Sequence, residues 1–84
     1  MKTAYLDFSE NFNDIPTRIR IFETEDKTYI FVSQYPKDMG LYNNFLKKLI
    51  EPQIKKDLFC ICNLKNYDSI TKISEAIVKI LTNK

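Results

Sequence analysis

Residues 28–35 of this chain read Thr-Tyr-Ile-Phe-Val-Ser-Gln-Tyr, with Ile30 and Val32 at even positions and Tyr29, Phe31 and Ser33 between them. Residues 17–23 repeat the pattern, with Ile19 and Ile21 set against Arg18, Arg20 and Phe22. Residues 2–8 repeat it again, with Ala4, Leu6 and Phe8 set against Thr3, Tyr5 and Asp7. Successive side chains of a β-strand point to opposite faces, so three such runs predict three strands, each with one face on a core. Residues 24–27, Thr-Glu-Asp-Lys, form a charged turn between the second and third runs, which makes that pair a hairpin. Residues 9–16 contain Asn11, Asn13, Asp14 and Pro16 and read as a loop, with Phe12 and Ile15 available to tuck it down.

The period changes after Pro36. With Asp38 as the expected cap, Tyr42, Phe45, Leu46, Leu49 and Ile50 fall at i, i+3, i+4, i+7 and i+8, one stripe of an α-helix. Asn43, Asn44, Lys47 and Lys48 take its wet side, and Pro52 stops it before a connector over 52–57. Leu58-Phe59-Cys60-Ile61-Cys62 is apolar throughout, which predicts a strand covered on both faces or at the sheet centre. After a loop over 63–67, Asp68, helped by Ser69, is expected to cap a last helix. Ile70, Ile73, Ala76, Ile77, Ile80 and Leu81 give that helix its apolar stripe.

The predicted order is β-β-β-α-β-α. The third strand, first helix and fourth strand make a right-handed crossover between parallel strands. The fold class that follows is α/β of the α+β type: a two-layer sandwich, with a four-stranded mixed sheet and two helices on one face. At 84 residues the expectation is one domain over 1–84. Its net stability should be on the order of 4–12 kcal/mol.

Several function classes lack their chemistry in this sequence. The chain has no histidine, which removes the commonest general base and zinc ligand. Gly40 is the single glycine, so no glycine-rich phosphate loop is possible. Cys60 and Cys62 lie two apart on one side of a strand, a spacing that suits core packing better than a disulfide or a redox pair. Glu23, Glu25, Asp26 and Lys27 superficially match part of a metal-dependent nuclease site, but a hairpin tip carries such charges for solubility. Asp7, Glu10 and Asp14 fit no known calcium loop. The expectation is no catalytic group, no metal and no cofactor. No apolar run approaches the roughly 18–20 residues of a membrane span, and residues 1–8 alternate where a signal peptide would be uniformly apolar. A cytoplasmic protein of a bacterium, or of a phage that infects one, is therefore expected. Heavy use of Lys, Ile and Asn suits an AT-rich genome.

One surface stands out. If the helices cover the side bearing Ala4, Leu6, Ile19, Ile21, Ile30 and Val32, the other side presents Tyr5, Arg18, Arg20, Phe22, Tyr29 and Phe31. Those include the only two arginines of the chain. An uncovered face of this composition points to contact with a protein, either a second copy in a homodimer or a larger partner. The same rings could stack the bases of a single-stranded nucleic acid, with the arginines on its phosphates. A one-residue slip in any strand would exchange the faces. Charge is uneven, with five basic against seven acidic groups over 1–42 and eight lysines against four acids over 43–84. Lys47, Lys48, Lys55 and Lys56 form a secondary basic patch on this count, or simply a solvated helix end. The resulting expectation is a non-enzymatic, homodimeric regulator or inhibitor of the kind phages and mobile elements carry, with a single-stranded nucleic-acid binder as the alternative.

Overall fold

The computed structural model describes residues 4–34, 40–65 and 67–83. Strands β1 (Ala4–Phe12), β2 (Ile15–Glu23) and β3 (Lys27–Gln34) are followed by a two-residue strand β4 (Gly40–Leu41) and helix α1 (Asn43–Ile50). Then come strand β5 (Asp57–Leu64) and helix α2 (Ile70–Thr82). The sheet order is β1-β2-β3-β5-β4. β1, β2 and β3 are antiparallel neighbours, and β3 pairs with β5 in parallel. This is the expected four-stranded mixed sheet with two helices. The short β4 adds a fifth, antiparallel strand on the outer edge of β5.

The expected loop over residues 9–16 is instead the end of a hairpin. β1 runs on to Phe12, paired with Ile15, and only Asn13 and Asp14 form the turn. Both have positive φ, 53° and 62°, the geometry of a two-residue type I′ turn. Asn and Asp tolerate that left-handed region because their short polar side chains bond locally. The polar residues that suggested a loop, Ser9, Glu10 and Asn11, are exposed on an edge strand. Asp14→Gly is expected to raise stability by about 0.5–1 kcal/mol, because glycine enters this region without steric cost. A higher urea midpoint at unchanged slope would show it.

The core lies between the sheet and the helices. Ile19 and Ile21 of β2, Ile30 and Val32 of β3, and Leu58, Cys60, Cys62 and Leu64 of β5 are buried on one side. Leu46 and Ile50 of α1 and Ile70, Ile73, Ile77 and Leu81 of α2 complete one cluster with them. The helix layer stops short of the start of β1, where Ala4 and Leu6 remain exposed although both were expected beneath it. β5 also departs from expectation. It alternates buried and exposed residues, with Phe59 and Ile61 on the uncovered side. Its apolar run reflects a second face that is apolar without being covered.

Helix ends differ in detail. The N-cap of α1 is Tyr42, and Asp38 lies outside the described residues. The Tyr42 N–H donates to the Cys62 carbonyl at 2.8 Å, and the Cys62 N–H donates to Asn43 Oδ1 at 2.7 Å. Asn43, expected on the wet side, thus continues the ladder that β4 begins along β5. Phe45, expected in the buried stripe, is exposed and rests edge-on against Tyr67, ring centroids 5.2 Å apart. Pro52 sits in a 3-10 turn over Glu51–Gln53, at a helical start where its missing N–H leaves no bond unmade. The N-cap of α2 is Ser69 rather than Asp68, reached through a 3-10 turn over Tyr67–Ser69.

Candidate protein-docking face

The strand register stacks residues of the uncovered side into rows across the sheet. Tyr5, Phe22, Tyr29 and Phe59 form the first row, one ring from each long strand. Their centroids are 6.5, 5.8 and 5.9 Å apart in that order. Asp7, Arg20, Phe31 and Ile61 form the second row, and Ser9, Arg18, Ser33 and Asn63 the third. Phe31 meets Phe59 edge-on at 6.2 Å, so the rings are one connected layer. Neighbouring rings steady one another by about 0.5–1.5 kcal/mol per pair. The face is graded, aromatic at the end nearest the β2–β3 turn and polar at the other.

All six residues expected on this face, Tyr5, Arg18, Arg20, Phe22, Tyr29 and Phe31, lie on it. Tyr5 is 59% exposed, Phe59 47% and Ile61 37%, and Phe22, Tyr29 and Phe31 are half-buried by one another. Phe59 and Ile61 were not expected here, because a continuous apolar run marks a strand covered on both faces or at the sheet centre. Their signal was present in the element order, which offers two helices and therefore cover for one face.

The two arginines differ in state. Arg18 grips Asp7 with two bonds, Nε to Oδ1 at 3.0 Å and Nη2 to Oδ2 at 2.7 Å. That hydrogen bonding holds the Asp7 carboxyl below the usual carboxylate range and raises the Arg18 guanidinium. Arg20 lies over the Phe31 ring, 5.5 Å from its centroid, a cation–π contact. It makes no hydrogen bond or ion pair with another described residue. Two shallow, open depressions flank it. One of about 260 Å³ is lined by Ser9, Pro16, Arg18, Arg20 and Ser33 among others. The second, about 160 Å³, is lined by Arg20, Phe31, Ser33, Ile61 and Asn63. Asn63 Oδ1 is buried beneath the surface, with no hydrogen-bond partner among the described residues.

Away from this face little chemistry assembles. Among the described residues no group of three Cys, Asp or Glu side chains could hold a metal ion. No described helix is long and apolar enough to cross a membrane. Glu23 is tied to Lys56, Nζ to Oε2 at 3.0 Å, and Lys56 also donates to the Thr24 carbonyl. Glu25 and Asp26 are exposed in the turn. Lys56 is therefore committed to the hairpin, while Lys47 and Lys48 occupy the last turn of α1 and Lys55 is exposed.

Cys60 and Cys62 are both free and buried. Burial pushes the Cys60 thiol from 9.0 to about 11 and the Cys62 thiol from 9.0 to about 12. A thiolate is the reactive form, so neither should react with a disulfide reagent at neutral pH until the chain unfolds. Between pH 9 and 11 the folded state keeps protons that the unfolded state has lost. Stability should therefore fall as pH rises, by about 1.4 kcal/mol per unit for each thiol. Urea titrations across this range should show a shallower fall once both residues are replaced by alanine.

No protein-family model, curated protein or solved structure matches this chain.

Proposed function

We propose that this chain is a non-enzymatic protein-interaction module, a small cytoplasmic regulator or inhibitor, that docks a protein through the uncovered face of its sheet. The observation that carries the reading is the row Tyr5, Phe22, Tyr29 and Phe59, joined by Phe31 and Ile61 and left without a second layer. Six apolar or aromatic side chains in contact on one face exceed the scattered exposure of an ordinary surface, and such patches mark contact sites. Tyr, Phe and Arg are the residue types that carry binding energy in interface centres. Two free, buried cysteines suit a reducing compartment.

A single-stranded nucleic acid is the second reading, because the same rings could stack bases. Arg18, held by both oxygens of Asp7, is less available for phosphates than that reading needs. The first test is light scattering coupled to size exclusion on wild type, Phe59→Asp and Phe31→Asp, with circular dichroism as the control for folding. A dimer that either substitution splits into folded monomers would make the face a homodimer interface. A monomeric wild type would leave the face for a different protein. If both variants retained every association of the wild type, the docking reading would fail. Binding to an oligonucleotide that weakens steeply with salt would favour the second reading.

A further inference from the structure

We infer that the occupant of this face is an acidic segment of another protein, one that seats a carboxylate on Arg20 between flanking apolar side chains. The inference rests on the docking reading and adds the chemistry of the partner. Arg20 is in β2, an interior strand, and in the second row, beside Phe31. Any layer that covers the rings also covers Arg20. Removing an unpaired guanidinium from water is costly, and the cost is repaid only by a partner that returns charge and hydrogen bonds.

The described residues of the face offer no such partner. Asp7 stands opposite Arg20 in the register but is bonded through both oxygens to Arg18. A second copy would bring the same committed Asp7. It would also bring Asp57, which stands across from Lys27 at the rim. The face as a whole has two arginines against Asp7 at its centre, so one positive charge is unanswered. A complementary occupant is negative at that point and apolar around it.

The depression beside Arg20 defines the rest. It is lined by Arg20, whose guanidinium lies over Phe31, by Ser33 and Asn63, and by the walls of Phe31 and Ile61. A guanidinium binds a carboxylate through two parallel bonds. The Ser33 and Asn63 side chains beside it can hydrogen-bond a peptide backbone. A Glu or Asp in an extended peptide carries both groups, with apolar neighbours to lie on Phe59 and Tyr29.

The probes are two blocked peptides, acetyl-Leu-Glu-Phe-amide and acetyl-Leu-Gln-Phe-amide, titrated by amide NMR into wild type, Arg20→Ala, Arg20→Lys and Phe59→Asp. An eight-residue oligothymidylate and inorganic phosphate are titrated alongside. The Glu peptide should shift the amides of Arg20, Ser33 and Asn63 and bind wild type at least fivefold more tightly than the Gln peptide. Arg20→Ala should erase that preference and keep the shifts at Tyr29 and Phe59, and Arg20→Lys should restore part of it. Equal binding of both peptides to wild type, or a preference that survives Arg20→Ala, would overturn the carboxylate site and leave the docking reading standing. Peptides that leave the face unshifted would count against both. Oligothymidylate binding tighter than either peptide would overturn the inference in favour of a nucleic acid, and a dimer split by Phe59→Asp would overturn it in favour of a second copy. Phosphate shifting the same amides as strongly as the Glu peptide would reduce the site to a general anion site and overturn the peptide assignment.

Discussion

Ile30→Ala is expected to destabilise the fold by about 2–5 kcal/mol, while Phe31→Asp, one residue along the same strand, leaves it folded. Ile30 has no solvent exposure and lies in β3, between β2 and β5. Its register neighbours are Ile21 on one side and Cys60 on the other, both buried. Ile73 and Ile77 of α2 belong to the same cluster and are equally inaccessible. Alanine there removes three carbon atoms and leaves a void that rigid neighbours on both sides cannot fill. Against a total of on the order of 4–12 kcal/mol, that loss leaves some preparations largely unfolded. Phe31 faces the other way, is half-exposed, and gives up ring contacts to Phe59 and Arg20 without opening a void. Urea unfolding followed by circular dichroism separates the two. An Ile30→Ala cost below about 1 kcal/mol would mean that the helices lie over the opposite face.

That pair of neighbours also shows what was legible from residues alone. Alternation placed Ile30 inside and Phe31 outside because a strand has one geometry, and two apolar helix stripes supplied cover for one face only. The six face residues followed from the same parity. Alternation failed at β5, because Phe59 and Ile61 obey the period of two in space while both of their faces carry apolar groups in sequence. Polarity misled at residues 9–16. Asn11 and Ser9 are polar because β1 is an edge strand, and the left-handed Asn13-Asp14 turn lacked the glycine that usually marks it. Asn43 could not have been read at all. Its bond to the Cys62 N–H joins positions 19 apart and exists only once α1 starts beside the edge of β5. The division of labour between Arg18 and Arg20 was equally hidden, since Asp7 faces Arg20 in the register yet reaches diagonally to Arg18.

Gln34→Ala is expected to cost about 2–4 kcal/mol, more than a polar residue at a strand end would ordinarily be worth. Gln34 is 1% exposed and lies opposite Thr17, itself buried. Its Nε2 donates to Thr17 Oγ1 at 3.1 Å, and its Oε1 accepts the Lys65 N–H at 2.8 Å. Thr17 in turn donates to the Ile15 carbonyl at 3.0 Å. One side chain therefore links the start of β2, the end of β3 and the chain just beyond β5. Truncation removes the part-buried bond to the Lys65 N–H and the buried bond to Thr17, and it leaves a gap in a site with 1% exposure. Gln34→Met fills the gap without restoring the bonds, so it should recover only the smaller part of the loss. Thr17→Val should be less than additive with Gln34→Ala, by about 0.5–1.5 kcal/mol, since each removes the same hydrogen bond. Strict additivity would show that the Gln34–Thr17 bond contributes nothing net, leaving the bond to Lys65 and the volume of the side chain. The anchor also matters to the docking face. Ser33 precedes Gln34 and Asn63 lies two residues before Lys65, so the polar walls beside Arg20 are held by the strand ends that Gln34 ties together. A folded Gln34→Met chain should therefore show altered Ser33 and Asn63 amides while Tyr29 and Phe22, farther along the same strands, keep theirs.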